Sequence, residues 1–217
     1  MPLATGVVTA NPNARLETFC DGVFAIALTL LIIDISIPAA TAISTSADLW
    51  RAVGHLLPSL FAFVLSFGII FISWVNHHEL MKLIGKSSHP FIYANGFLML
   101  GVVLVPFPTA LLGENLMTSH ASPAVVLYCG AGAIMGIGWA LIGWTALRPQ
   151  PLTRDERASA RVRTGLRNAY IAIAYYIACA IVAVWLPLAI AVVITVQWAY
   201  WVIYGIRSAG EPARDPK

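Results

Sequence analysis

The sequence predicts an all-α, polytopic membrane protein with six transmembrane helices per subunit. Hydrophobic residues make up 59% of its 217 residues and charged residues only 11%, whereas about 25% of an ordinary soluble domain is charged. A helix needs roughly 20 mainly apolar residues to cross the ~30 Å hydrocarbon layer of a bilayer. Six apolar stretches of suitable length fit into the chain, and basic residues concentrate in alternate loops between them.

The six predicted spans account for most of the chain, so we predict a single transmembrane domain over residues 1–217. The N-terminal 14 residues lack a basic region followed by a long apolar run, which indicates that the first span is not part of a cleaved signal peptide. A basic, helical linker at about 148–165 joins the fourth and fifth spans. The spans lie near 17–38, 49–75, 90–112, 123–147, 166–185 and 188–206.

The positions of the basic residues predict the orientation of the chain. Of the thirteen Lys and Arg residues, all except Arg51 fall before the first span, in the second and fourth loops, or after the last span. Because cytoplasmic loops carry an excess of Lys and Arg, we expect both termini in the cytoplasm. An even number of crossings follows, in agreement with six spans.

The basic segment between the fourth and fifth spans could be interpreted as a nucleic-acid patch. Acidic residues interleave with its arginines, however, and the segment runs directly into an apolar span. Thr153 and Glu156 have the spacing of a capping box, which predicts a helix start. We therefore expect a solvated helical extension near anionic lipid rather than a nucleic-acid partner.

The first span begins with charged residues and continues with an aliphatic stripe. Gly22, Ile26, Leu30, Ile33 and Ile37 follow the spacing of one helix face, with Thr29 beside them. Such a stripe is more often a packing surface than a pore lining, so composition alone leaves both interpretations open. Asp21, one turn inside the span, is either an interfacial cap or a buried functional group.

The second span ends in a polar cluster that includes Trp74, His77 and Glu79. Adjacent histidines point about 100° apart on a helix and the H-E-x-x-H pattern is absent, so no metal site is expected. The cluster is either an interfacial group anchored by Trp74, or His77 bonds a carboxylate such as Asp21 and fixes the base of the first span. The third span carries Asn95 in an apolar setting.

The remaining reactive side chains give no sign of an enzyme. Cys20, Cys129 and Cys179 have no disulfide or zinc spacing and are expected to act as small apolar fillers. The single hydroxyls, among them Ser66, Ser73 and Thr195, are expected to bond backbone carbonyls. Because the chain has no nucleophile with a neighbouring base, no phosphate loop and no redox pair, we predict neither catalysis nor a resident cofactor.

Three motifs resemble a known family. The run R-x-x-x-F-x-D-G-V-F-A-I-A from Arg15, the W-x-N-H-H of 74–78 and the P-F-P-T-A-L-L-G-E of 106–114 are similar to those of prokaryotic members of the transmembrane protein 175 family. These are relatives of the endosomal and lysosomal potassium channel. The resemblance covers about residues 15–115. Cys20 departs from it, since the family usually has Ser in its F-S-D signature.

The resemblance implies a homotetrameric potassium channel in the cell membrane, with a central pore lined by the first helix and potassium passing passively. We expect the partners to be identical subunits, membrane lipid and permeant potassium ions, and no nucleic acid. The resemblance further implies a hydrophobic gate at Ile26, narrow layers at Leu30 and Ile33, and a hydroxyl layer at Thr29. The residues that it implies hold the first helix in place are Arg15, Phe19, Asp21, His77 and Asn95.

One alternative is an ion-coupled or proton-coupled secondary transporter in which Asp21 and His77 titrate. Transporters tend to show paired repeats with broken helices at corresponding positions. Spans one to three and four to six show no convincing repeat, which favours the channel.

Overall fold

The computed structural model describes residues 11–33, 35 and 43–209. This part of the chain contains α-helices and one isolated antiparallel bridge between Ile84 and Thr153. The all-α prediction is therefore confirmed. The helices are α1 Ala14–Ile33, α2 Ser46–His55, α3 Leu57–Leu83, α4 His89–Leu104, α5 Pro106–Asn115, α6 Ala121–Ala146, α7 Glu156–Ala183 and α8 Pro187–Ala209.

Within the described residues, five helical stretches are long and apolar enough to cross a membrane. They are α1, α3, the consecutive pair α4 and α5, α6, and α7. The sixth predicted span, 188–206, falls within α8, of which Pro187–Ala199 is a shorter apolar stretch. The multi-pass prediction is thus confirmed, while six full crossings agree with the structure only approximately.

The predicted second span, 49–75, corresponds to two helices rather than one. Thr45 caps α2 through a reciprocal bond with Asp48, and Pro58 lies in the first turn of α3, where a missing N–H leaves no helical carbonyl unsatisfied. Helix α3 then continues to Leu83 through the polar cluster. A hydropathy pattern ends a predicted span where polar residues begin, but the backbone hydrogen bonds of a helix are internal to it and continue through polar residues.

The third apolar segment breaks at Val105, between α4 and α5. Pro106 has no N–H to donate to the Val102 carbonyl, and the Val105 N–H bonds that carbonyl instead, at 3.2 Å. The hydroxyl of Thr109 donates to the Val105 carbonyl at 2.7 Å. The break at this proline-rich motif therefore leaves both carbonyls with partners.

The predicted capping box at Thr153 and Glu156 is wrong. Asp155 caps α7, accepting a hydrogen bond from the Ala158 N–H at 2.7 Å. Thr153 lies instead in the extended bridge with Ile84. Because Thr153 pairs with Ile84 at the end of α3, its backbone lies outside the helix. Asp155, two residues later, is the residue that caps α7.

Helix α6 lies at the centre of the subunit and packs most extensively against α4 and α7. One apolar cluster joins α1, α3, α4 and α6, and a second joins α3, α5, α6, α7 and α8. Helix α1 contacts the bundle through α3, α4 and α5. The first helix therefore lies at the edge of the subunit, with part of its surface uncovered.

Candidate permeation surface on the first helix

Helix α1 packs against the subunit through one face only. Cys20, Phe24, Ala27 and Leu31 are each at most 1% exposed, and their spacing places them on one side of the helix. They belong to the cluster shared with α3, α4 and α6. The burial of these residues fixes the rotation of α1 and so decides which side chains it leaves free.

The predicted aliphatic stripe lies on the uncovered face. Ile26 is 59% exposed, Leu30 38% and Ile33 71%, and Gly22 is also exposed. At 1.5 Å per residue, Ile26 to Ile33 covers about 10 Å of helix length. Ile37 lies outside the described residues. Within one subunit the stripe is therefore available to a partner, to lipid or to an aqueous path.

Thr29 lies beside the stripe and is also exposed. Its hydroxyl donates to the Ile26 carbonyl at 2.8 Å. Because the proton is used in this bond, the oxygen lone pairs remain available to accept. A hydroxyl fixed in this way can offer an oxygen to a cation, which is the chemistry that the predicted hydroxyl layer requires.

Asp21 is partly buried and anchors α1 to α3. The indole Nε1 of Trp74 donates to Asp21 Oδ1 at 2.9 Å. Glu17 makes a second polar contact between the same helices, with its Oε1 3.5 Å from Nδ1 of His78. The sequence does not predict either pair, because each joins residues more than 50 positions apart in the chain.

His77 does not bond Asp21, so the structure does not support the alternative in which these two side chains pair. Its Nε2 lies 2.9 Å from Oδ1 of Asn95, and both side chains are fully buried. Asn95 Nδ2 in turn donates to the Phe91 carbonyl at 2.8 Å. The buried face of α3 directs His77 toward α4, while Asp21 lies at the partly exposed edge beside Trp74.

Arg15 and Phe19 do not join this buried network within one subunit. Phe19 is 59% exposed and Arg15 is exposed. Their spacing from Ile26 puts both on the side of the stripe rather than on the packed side. The predicted support of the first helix therefore divides into a buried pair, His77 with Asn95, a partly buried Asp21, and two exposed residues whose role remains a prediction.

Two hydroxyls expected to bond backbone instead join helices through their side chains. Ser66 Oγ lies 2.7 Å from Thr109 Oγ1 and 3.0 Å from Tyr128 OH, which connects α3, α5 and α6. Ser73 accepts from Nε1 of Trp139 at 3.3 Å. Thr195 bonds its own helix, as expected. Interhelical hydroxyl bonds of this kind help hold membrane bundles together.

These features define an integral membrane protein whose first helix is anchored by polar contacts on one side and free along an aliphatic stripe on the other. A family model described as "Endosomal/lysosomal potassium channel TMEM175" matches residues 15–106. A potassium channel of Streptomyces collinus is 33% identical over 208 residues, which cover 94% of this chain and 97% of that protein. The chain belongs to the TMEM175 family, as its sequence motifs predicted.

A solved structure supports the same assignment. The crystal structure of a lysosomal potassium-selective channel TMEM175 homolog from Chamaesiphon minutus matches with a TM-score of 0.75 and 31% identity, over 88% of this chain and 97% of that one. A potassium channel of the same organism is 43% identical over 120 residues, which cover 55% of this chain and 59% of that protein. Fold and sequence therefore lead to the same family.

Proposed function

We propose that this protein is a potassium channel in which four identical subunits surround a central pore lined by α1. The observation that carries the proposal is the uncovered stripe of Ile26, Leu30 and Ile33 on the first helix. The names of the relatives, which are potassium channels, support the choice of ion. One helix cannot enclose a conduit, so the pore requires several copies of α1 around a symmetry axis.

The aliphatic stripe suits a gate. A hydrated cation that enters an apolar neck loses water and gains no oxygen ligand, so a narrow ring of isoleucine side chains stops conduction by dewetting. Ile26 forms the narrowest ring in this proposal, and Leu30 and Ile33 form further layers. The Thr29 oxygen, with its proton held by the Ile26 carbonyl, partly replaces lost hydration and favours the more easily dehydrated potassium ion.

The orientation follows from the distribution of basic residues. The termini, the α3–α4 loop and the segment before α7 face the cytoplasm, and α2 faces the other side of the cell membrane. The partners of the chain are its own copies, membrane lipid and permeant potassium ions. The protein needs no resident cofactor and catalyses no reaction.

Replacing Ile26 by Asn tests the gate. A polar ring keeps water in the neck, so potassium flux into liposomes should rise about tenfold or more, the change produced by a barrier lower by about 1.4 kcal/mol. Ile32→Asn is the matched control, because Ile32 is 51% exposed on the same helix but points about 120° away from Ile26. Equal flux through both variants and the wild type would contradict the gate.

The coupled transporter is tested in the same liposomes. Asp21 bonds Trp74 and His77 lies beside Asn95, which favours anchoring roles over a shared proton path. Potassium flux driven by its own gradient should persist when sodium is absent and the pH is clamped equal on both sides. Flux that stops without a second ion gradient would support the transporter instead.

A further inference from the structure

A large groove lies on the subunit away from the uncovered stripe of α1. It has a volume of about 750 Å³, and its lining comes from α3, α6, α7 and α8, with no residue of α1. Volumes of roughly 300–1,000 Å³ are typical of sites for small molecules. The groove is therefore large enough for a ligand and is separate from the surface proposed to conduct ions.

The charged side chains of the groove lie at one of its ends. Helices α3 and α7 run in opposite directions, because the bridge between Ile84 and Thr153 joins the end of one to the start of the other. Glu79 and Arg161 therefore lie at the same basic end of the groove. Asn168 lies about 10 Å farther along α7 than Arg161. The charged side chains of the lining thus lie at the basic end of the groove, and the side chains farther in are uncharged.

Two polar atoms at the inner end of the groove have no hydrogen-bond partner. Within the described residues, Oε1 of Gln197 and Nε1 of Trp198 are buried without a hydrogen-bond partner. Such atoms normally have partners, and each one left without costs about 1–3 kcal/mol. Both residues line the groove. The inner end of the groove therefore has one acceptor, Oε1 of Gln197, and one donor, Nε1 of Trp198, that no described residue uses.

The entrance of the groove carries a positive charge. Glu79 is paired with Lys82, whose Nζ lies 2.7 Å from its Oε1, so the two charges offset each other. Arg161 forms no salt bridge among the described residues, and Arg157 precedes it by one helical turn. The charge of the entrance therefore complements an anion rather than a cation.

We propose that this groove binds one anionic phospholipid from the leaflet on the basic side of the protein. The phosphate binds at Arg161, the glycerol ester region lies beside Asn168, and an acyl chain follows the apolar wall that includes Ile69 and Ile72. Basic pockets between membrane helices on the cytoplasmic side are suited to lipid headgroups. A free inorganic anion would leave the apolar wall, which forms most of the lining, without a ligand.

The charge of the site is tested by lipid binding to the purified full-length protein. Native mass spectrometry would count lipids bound in phosphatidylglycerol and in phosphatidylcholine with the same acyl chains. We expect the wild type to bind phosphatidylglycerol about fivefold more tightly, the effect of one arginine near a membrane surface. Arg161→Gln should lose this preference, whereas Arg163→Gln, in which an exposed arginine outside the groove is replaced, should keep it.

The shape of the site is tested by filling it. A Cβ added at Gly165 meets no atom within 4 Å, and Gly165 lines the groove, so Gly165→Leu should displace the lipid without a backbone clash. Gly130→Leu is the matched control, because Gly130 has the same free space and lies outside the lining.

Three results would overturn the proposal: equal binding of the two lipids by the wild type, unchanged preference in Arg161→Gln, or a bound lipid retained in Gly165→Leu. If Gly165→Leu fails to fold, the two arginine variants decide. None of these measurements depends on ion conduction, so failure here and failure of the proposed channel function are distinguishable.

Discussion

At the residue scale, His77 is where four helices meet. Its ring lies on α3 and contacts Phe24 of α1 at a centroid distance of 5.6 Å and Trp139 of α6 at 6.4 Å, while its Nε2 bonds Asn95 of α4. Burying a polar group costs free energy unless a hydrogen bond compensates for the lost water. This pair therefore helps position the packed side of the first helix.

Replacing Asn95 by Leu should leave Nε2 of His77 buried without its partner. We expect the free energy of unfolding to fall by about 1–3 kcal/mol, measured by thermal or denaturant unfolding of the purified protein. The double variant His77→Leu with Asn95→Leu should recover part of the loss, because removing both polar groups removes the unsatisfied atom. A double variant at least as unstable as the sum of the single ones would contradict this role.

At the element scale, α4 and α6 approach closely because α6 has a glycine at the contact. A Cβ added at Gly138 would lie 2.7 Å from the Leu98 Cα of α4. Small residues at such positions let membrane helices pack backbone to backbone. The position of α4, and with it that of Asn95, therefore depends on the absence of one methyl group.

Gly138→Ala should force α4 and α6 apart and destabilise the protein by about 1–3 kcal/mol. The matched variant Gly130→Ala is on the same helix but has no atom within 4 Å of the new Cβ, and it should be neutral or slightly stabilising, since alanine favours helix more than glycine does. The melting temperatures of the two variants give the comparison. Similar melting temperatures would show that the close approach has no role in stability.

Helix α2 is held at its start by a reciprocal cap. The Thr45 hydroxyl donates to Asp48 Oδ2 at 2.8 Å and accepts from the Asp48 N–H at 3.2 Å. The pKa of the Asp48 carboxyl lies below its ordinary value, mainly because this hydroxyl donates a hydrogen bond to it. The Thr45 backbone N–H makes a smaller contribution in the same direction. The cap therefore stabilises α2 at neutral pH.

The pH dependence of this cap follows from the direction of the shift. A depressed folded-state pKa contributes stability above the unfolded value of about 3.9 and loses it as pH falls through the folded value. Carboxyl NMR should give an Asp48 titration midpoint below about 3.9 in the wild type and a higher midpoint in Thr45→Ala. An unchanged midpoint in Thr45→Ala would contradict the role of the hydroxyl.

At the scale of the whole molecule, one subunit supplies only part of the surface of the proposed pore. The stripe of α1 faces outward, so the proposed pore exists only in an assembly. A closed cyclic arrangement gives every subunit the same contacts, and native mass spectrometry of the purified protein should show four copies, the number that the family resemblance implies. Potassium flux from a preparation that contains only monomers would contradict this architecture.

The sequence by itself determined the class of the protein, the approximate positions of its membrane helices, the aliphatic stripe and the family. These depend on local quantities: the transfer free energy of about 20 consecutive side chains, the helical period of one segment, and short motifs. The exposure of Ile26, Leu30 and Ile33 agrees with the stripe that the period predicted. Such properties can be assigned without knowing what lies next to a segment.

Only the tertiary structure decided which polar groups meet. His77 bonds Asn95 rather than Asp21, Asp155 rather than Thr153 caps α7, and the groove at Arg161 is formed by four helices. For His77 and for the cap of α7, the sequence supplied more than one chemically suitable residue. The choice among them depends on the rotation and spacing of the helices. The packed face of each helix sets its rotation, and single glycines such as Gly138 set the spacing, both through contacts between distant parts of the chain.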